Sequence, residues 1–426
     1  MHDESAGGEI PAVSSQLNAA HACSWRKWML LAILCALLFE NAYHALPLMI
    51  RYGMKGWADF STFYVGANIL RHGLGRHLYD LSLQARFQPV QGVQALPYIH
   101  PAYELLLFLP LAGLAFPVAF WLWNGINVVM LVVSARSLAV QLKSLSAVWV
   151  MLAALAFFPV AISFKQSQDS ILTLLIFTLV YGCLRYQREV LAGVLLSAGL
   201  FKFPLVLPFF LPWLFRGRWR FVAGFFSGGL LLAGVSVALI GISASGDYVR
   251  LLFFFLRHPE VGYIYPRWMP TIHGLFAVIA PGADNQLAAI ASGVLSLFLL
   301  ALSSLRWCDV QQGSRFDLWF AMNICAAVLA SPNLYPHDLT VILLALLLAN
   351  RAMQTHGFIQ TYSVDESFAP SLRGTCVVIS AIFFCTPLYL YLQNKDWLGL
   401  LALPLLAMVL LLAFANQKRG KVAQSF

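Results

Sequence analysis

The chain has 426 residues, of which 60% are hydrophobic and only 11% are charged. Soluble domains carry about 25% charged residues, so this composition excludes an ordinary soluble protein. Apolar runs repeatedly reach the roughly twenty residues that a helix needs to cross a bilayer, which predicts an all-α, polytopic membrane protein. The net charge of +9 is not accompanied by a basic, aromatic-rich soluble segment. We therefore expect no nucleic-acid partner and interpret the charge as topology information.

The seven cysteines lie mostly inside apolar runs, and none has the spacing of metal ligands. This pattern predicts neither a disulfide framework nor a zinc site. Residues 1–27 form a polar tail that ends in Arg26 and Lys27, and no small-residue cleavage site follows closely. We expect a cytoplasmic tail followed by a retained signal anchor.

The apolar segments predict about twelve crossings, and they fall near 28–50, 102–115, 116–136, 146–164, 169–186, 190–215, 219–243, 285–305, 316–332, 337–351, 372–392 and 396–415. With the N-terminus inside, the dense basic clusters that follow the even-numbered crossings also lie inside, as the positive-inside rule requires. Four basic residues do not fit and fall outside: Arg136, Lys143, Arg185 and Arg188.

This topology predicts one membrane domain over 28–415, with cytoplasmic tails at 1–27 and 416–426. It places three polar, aromatic-rich segments together on the outer face: 51–101, 244–284 and 331–338. The turn Gln166–Asp169 falls on the inner face, away from these segments, and we interpret it as structural.

Asp59 opens the first outer segment directly after an apolar run, and an amphipathic helix that includes Tyr64 is predicted to follow it. Two interpretations of Asp59 remain open. It either caps this helix or is a functional carboxylate at the membrane surface. Tyr98, His100 and Glu104 precede the second crossing, where they are either a helix start with an interfacial aromatic or part of a polar site.

Lys202 lies in the middle of an apolar segment, two residues before Pro204. A buried lysine is costly unless it faces a partner or a polar cavity, so we expect an anionic ligand there, with snorkelling to an interface as the alternative. His337 lies at the start of an outer helix, where it either binds phosphate or has a structural role. Arg267, His258 and Trp268 in the 244–284 loop suit phosphate and sugar, or a helix lying on lipid headgroups.

Several short motifs together resemble glycosyltransferase family 87, a branch of the GT-C superfamily that includes mycobacterial polyprenol-phosphate-mannose-dependent α-mannosyltransferases. They are Ala58-Asp59-Phe60, Leu78-Tyr79-Asp80, Tyr98 to Pro101, Lys202-Phe203-Pro204 and Ser331-Pro332 with His337. The resemblance extends from about residue 28 to residue 415. One departure is His100-Pro101, where the family more often has two prolines.

The resemblance implies a GT-C fold with amphipathic outer-loop helices in a bacterial inner membrane, with the active site on the periplasmic or extracellular face. It implies a hexosyltransferase that moves a sugar, mannose or arabinose among the candidates, from a polyprenyl-phosphate donor to a lipid or glycan hydroxyl. Asp59 is the implied base, and one base without a carboxylate nucleophile implies inversion. The phosphate would meet Lys202, His337 and Arg267, without metal or cofactor. The remaining substrate-binding candidates are Tyr64, Tyr98, His100, Glu104, His258 and Trp268.

A transporter or flippase of lipid-linked sugars is the alternative, because such proteins also place a lysine and a broken helix within the membrane. No inverted repeat is evident in the sequence, and the polar groups collect at one face instead of the midplane. Membrane lipids are expected partners in either case.

Overall fold

The computed structural model describes residues 11–89, 96–143, 145–258, 261, 264–281, 285–354 and 369–416. Regular structure within these ranges is entirely helical, which confirms the predicted all-α class. The predicted C-terminal tail lies outside the described residues except for Asn416, and so do residues 1–10 of the N-terminal tail.

The helices are α1 (Pro11–Lys55), α2 (Phe60–Arg71), α3 (Leu81–Arg86), α4 (Leu105–Phe108), α5 (Phe116–Leu142), α6 (Ala147–Ala156), α7 (Phe158–Gln166), α8 (Ser170–Arg185), α9 (Glu189–Ala198), α10 (Phe203–Phe215), α11 (Trp219–Arg257), α12 (Ile272–Ile279), α13 (Asn285–Leu305), α14 (Ser314–Ala330), α15 (Ile342–Gln354), α16 (Ala369–Phe384), α17 (Thr386–Asn394) and α18 (Ala402–Ala415). Short 3₁₀ turns lie at Gly75–His77, Ala102–Glu104, Leu109–Leu111, Gly199–Lys202, Pro266–Trp268, Val310–Gln312, Pro336–Val341 and Leu398–Leu401.

Within the described residues, seven helical segments are long and apolar enough to cross a membrane, or nine if each of two bent pairs counts as one span. The bent pairs are α6 with α7, at 71°, and α16 with α17, at 59°. The protein is therefore a polytopic membrane protein. The expected number of about twelve is larger because it counts short and folded-back segments as single crossings.

One end of the bundle is rich in arginine, and ion pairs tie its loops together. Arg185 and Arg351 both contact Asp317, at 3.6 and 3.3 Å. Arg218 joins the start of α11 to Glu189 at the start of α9. We call this the arginine end. The opposite end, which holds Asp59, His100, Asp169 and His337, we call the site end.

Residues 102–115 do not form the predicted second crossing. Their described helix, Ala102–Leu111, is too short to span a bilayer, and both of its ends lie at the site end. His100 precedes it, and Phe116 after it packs on Phe60 with ring centroids 5.7 Å apart. The segment dips from the site end and returns, because ten helical residues cover only about 15 Å.

Residues 190–215 are not a single crossing either, although their length and apolar composition suit one. Glu189, before α9, pairs with Arg218, just after α10, at the arginine end. Between them, Lys202 contacts Asp169 at 2.6 Å at the site end. The segment therefore rises from the arginine end, bends at Lys202 and returns. Gly193 permits this arrangement, since a Cβ there would lie 2.1 Å from the Phe221 carbonyl oxygen of α11.

Because residues 102–115 do not cross, each loop between the start of α5 and the start of α9 lies at the opposite end of the bundle from the predicted one. The turn Gln166–Asp169 lies at the site end, so its predicted position on the opposite face from Asp59 is wrong. Arg185 lies at the arginine end, and a Cβ at neighbouring Gly182 would touch Gln141, near the end of α5. The basic residues that did not fit the predicted topology thereby join the other basic clusters.

Candidate functional site

A cavity of about 1500 Å³ opens at the site end. Its polar floor includes Asp59, His100, Lys165, Gln168 and Lys202. The 332–338 segment also lines the cavity, and so do Arg257, Arg267 and Trp268. The three predicted outer segments therefore converge, as expected, and the Gln166–Asp169 turn joins them.

Asp59 lies at the N-terminal boundary of α2, but its side chain does not cap the helix. Its Oδ2 accepts a hydrogen bond of 2.7 Å from Nε2 of Gln168. Its backbone N–H donates to Oε1 of Gln166 at 3.4 Å. The carboxylate faces the cavity, and the turn between α7 and α8 holds Asp59 through these two hydrogen bonds. Of the two interpretations of Asp59, capping by the side chain is not what the structure shows.

Lys202 lies at the apex of the α9–α10 hairpin and is buried. Its ammonium pairs with Asp169 at 2.6 Å and with Asp338, and it donates to Ser170 Oγ at 3.1 Å. A cation buried among apolar helices needs such partners. The anion that we expected beside Lys202 is thus a pair of protein carboxylates. This charge balance does not support its predicted role as a phosphate ligand.

Half-buried His100 pairs with buried Glu104 one helical turn later, with Nδ1 2.8 Å from Oε2. Asp169 lies 3.7 Å from the same imidazole nitrogen. Burial lowers the pKa of His100, but the two carboxylates outweigh burial, so the pKa is raised overall. Burial also raises the pKa of Glu104, against the opposing effect of the imidazole. The pair therefore retains a proton more strongly than either group would alone in water.

His100, Glu104 and Asp169 are also the one group among the described residues whose donor atoms could hold a metal ion. Those atoms lie within 4.8 Å of one another. The ammonium of Lys202, and the imidazole that we expect to keep its proton, already supply positive charge to these carboxylates. Transfer without a metal, as the sequence predicts, remains a prediction.

His337, Arg267 and Trp268 all line the cavity, as predicted for ligand-binding residues. His337 lies at the start of the Pro336–Val341 turn, with Nε2 3.4 Å from Asp338 Oδ2. Arg267 is exposed. Trp268 donates from Nε1 to Asp396 Oδ1 at 2.8 Å, which fixes the indole at the rim.

Four other predicted substrate-binding residues do not line the cavity: Tyr64, Tyr98, Glu104 and His258. The Tyr64 hydroxyl donates to the Leu114 carbonyl at 2.7 Å, and Tyr98 is fully buried and donates to the Pro101 carbonyl at 2.9 Å. These contacts hold the chain before and after the short 102–111 helix, so the structure gives both tyrosines a packing role, and substrate binding by them stays a prediction. Glu104 contacts the His100 imidazole and does not line the cavity. His258 packs against Phe254.

The sequence does not predict a role at the site for Lys165, Gln168 or Asp338, and Asp169 is interpreted only as part of a structural turn. Asp338 does accept from the Tyr335 N–H at 3.0 Å, as a capping carboxylate does, and it also binds Lys202. A signal was available, because Gln166-Ser167-Gln168-Asp169 places three long polar side chains between two apolar helices. The predicted crossing at 102–115 placed this turn on the opposite face from Asp59, which concealed the signal.

The fold and the cavity define a class: a polytopic helical membrane protein whose acidic side chains and cations meet in a large cavity at one end of the bundle. A sequence model of glycosyltransferase family 87 matches residues 98–332, which is more than half of the chain. The protein belongs to this family and is a membrane glycosyltransferase, with a sugar donor and an acceptor as substrates.

Comparison with curated proteins and with solved structures gave no match. The family match begins at Tyr98 and ends at Pro332, so Asp59 and His337 lie outside it. Both residues line the cavity, and this position is what makes them candidate site residues.

Proposed function

We propose that the protein transfers a hexose or pentose from a polyprenyl-phosphate carrier to a hydroxyl of a lipid or glycan, with inversion and with Asp59 as the general base. Mannose is the first sugar to test. The observation that carries the proposal is the position of the Asp59 carboxylate, which faces the cavity, makes no cap and is oriented by Gln168.

The chemistry follows from these positions. An acceptor hydroxyl loses its proton as it attacks the anomeric carbon, and a positioned carboxylate can take that proton. The departing group is a phosphate, which needs positive charge around its oxygens. His337 and Arg267 lie on the cavity wall and can supply such charge. The proton passes to Asp59, and the sugar–phosphate bond breaks as the new glycosidic bond forms.

A lipid carrier is supported by the apolar side of the cavity. Leu252, Phe253 and Leu256 of α11 line it, and Phe253 and Leu256 are 59% and 73% exposed. These residues lie in the part of α11 that follows a break at Gly241 (φ 85°, ψ 162°), and their exposed apolar side chains suit contact with acyl chains. A polyprenyl chain could lie along it while the sugar phosphate reaches the polar floor.

We also propose that the site end faces the periplasm or cell exterior of a bacterial inner membrane. The support is the positive-inside rule, since the arginine end carries Arg185, Arg218, Arg315 and Arg351, which bridge its loops.

The test is the Asp59→Asn variant, assayed with a panel of polyprenyl-phospho-sugars for released polyprenyl phosphate and glycosylated acceptor. Asparagine keeps the shape and can still accept from Gln168, but it cannot take a proton. Turnover should fall about a hundredfold to ten-thousandfold, with little change in donor binding or melting temperature.

Asp80→Asn is the matched control. Asp80 belongs to the same outer segment but caps α3 by accepting from the Ser82 N–H at 2.8 Å. Asparagine caps as well as aspartate, so this variant should transfer at the parent rate. Near-parental transfer by folded Asp59→Asn would rule out Asp59 as the general base.

A further inference from the structure

Among the residues that the structure describes, the charges at the cavity floor leave one partly buried cation, Lys165, without a salt-bridged carboxylate. Lys202 is matched to Asp169 and Asp338. Lys165 also lines the cavity and is only partly accessible to solvent. Among the described residues, no carboxylate lies within the 4.0 Å of an ion pair from its ammonium.

Lys165 lies in the last turn of α7, directly before the turn that orients Asp59. The Asp59 carboxylate attracts its ammonium electrostatically, although the two do not form a salt bridge. The same short stretch of chain therefore presents a cation to the cavity and, through Gln168, holds the carboxylate that we propose as the base. A ligand reaching Asp59 would also reach the surroundings of Lys165.

The cost of this arrangement indicates what Lys165 binds. Withdrawing an ammonium from water without pairing it is unfavourable, and a cation at a helix C-terminus recovers only a small part of that cost from the helix dipole. An anion in the cavity would offset the remainder. Phosphate suits the position because a compact ammonium binds it as a point charge and donates up to three hydrogen bonds.

We propose that Lys165 is the principal ligand of the carrier phosphate, with His337 and Arg267, which also line the cavity, as further ligands. This assignment rests on the proposed function for the identity of the ligand. It divides the two lysines by role: Lys202 holds the polar floor together, and Lys165 meets the substrate anion. The lipid-linked phosphate would lie beside Asp59, so the positive charge required by the leaving group would lie near the base.

The experiment measures binding of undecaprenyl phosphate to the purified full-length protein, separately from transfer. Lys165→Met should weaken this binding about tenfold to a hundredfold, as expected when a hydrogen bond to a charged group is lost. Lys165→Arg should retain most of it, which shows that the charge matters. Lys395→Met is the matched control, since Lys395 is exposed and does not line the cavity, and it should bind like the parent.

Two further ligands separate phosphate recognition from chain recognition. Undecaprenol lacks the phosphate and should bind the parent and Lys165→Met equally. Inorganic phosphate lacks the chain and should bind far more weakly than undecaprenyl phosphate; equal affinity would overturn the assignment to a lipid-linked phosphate.

Unchanged undecaprenyl phosphate binding by folded Lys165→Met would overturn the proposal, and so would a loss of turnover without a loss of binding, which would make Lys165 a partner of Asp59 only. If Lys165→Met does not fold, the comparison of Lys165→Gln with Lys165→Arg replaces it. Failure of the transferase proposal looks different: the parent would bind undecaprenyl phosphate through Lys165 yet transfer no sugar to any acceptor.

Discussion

At the scale of single residues, Asp59 and Asp80 show why a sequence pattern does not settle a side chain's role. Each aspartate directly precedes a helix. Asp80 has the extended backbone of a capping residue, with φ −78° and ψ 110°, and its side chain caps α3. Asp59 has helical dihedrals, φ −58° and ψ −22°, which turn its carboxylate away from the first-turn N–H groups. Its carboxylate is thereby left for Gln168 and the cavity.

The Gln168 side chain tests whether Asp59 must be oriented. Gln168→Leu removes the donor to Asp59 Oδ2 at similar volume. Because the carboxylate loses the contact that orients it, the chemical step should be affected more than donor binding. The value of kcat at neutral pH should fall about tenfold, and the donor KM should change little.

Gln311→Leu, at an exposed position of the Val310–Gln312 turn at the arginine end, is the control and should match the parent. A purely structural Gln168 would lower the melting temperature and the yield of folded protein, while the folded fraction would keep the parental kcat. That outcome would contradict the orienting role.

At the scale of elements, the floor of the cavity is a junction of interrupted helices. The α7–α8 turn supplies Asp169, the α9–α10 hairpin supplies Lys202 and the Pro336–Val341 turn supplies Asp338. Ser163 adds a hydrogen bond of 3.0 Å to Thr340. Each break leaves backbone groups and charges within an apolar bundle, and the salt bridges at Lys202 join all three breaks. The junction thus fixes the turn that holds Asp59.

Lys202→Met should destabilise the protein, because it leaves two buried carboxylates without their cation. Breaking one partner of a buried pair costs about 3–5 kcal/mol. The measurement is the free energy of unfolding in detergent by chemical denaturation. Lys202→Met combined with Asp169→Asn and Asp338→Asn removes the unpaired charges and should recover much of the loss.

Lys395→Met serves again as the exposed control. Parental stability of the single Lys202→Met variant would show that the three breaks are held by other contacts.

Some of this could be predicted from the sequence. A lysine within an apolar run indicated an anionic partner at Lys202, and the polar segments indicated where a site would form. The partner of Lys202 could not be predicted, since Asp169 lies 33 positions before it and Asp338 lies 136 after it. The re-entrant course of 102–115 was also hidden, because hydropathy reports apolar length and not whether a chain crosses or returns.

At the scale of the whole molecule, that one re-entrant segment decides how charge is distributed. Counting 102–115 as a crossing separates Gln166–Asp169 from Asp59 and leaves Arg185 and Arg188 on the wrong side. With the re-entrant course, Asp59, Asp169 and Lys202 share one end and the arginine ion pairs share the other. The positive-inside rule and the assembly of the cavity then agree, although neither was used to obtain the other.

Labelling of single cysteines separates the two topologies. Arg76 and Tyr186 are both exposed, and they lie at the site end and the arginine end respectively. In a background without other cysteines, a membrane-impermeant maleimide applied to spheroplasts should label Arg76→Cys. It should label Tyr186→Cys only after permeabilisation if, as we propose, the arginine end faces the cytoplasm. The twelve-crossing arrangement places Tyr186 outside with Arg76, so it requires labelling of both without permeabilisation. That result would remove the re-entrant course of 102–115, and with it the physical basis for placing Gln168 and Lys165 beside Asp59.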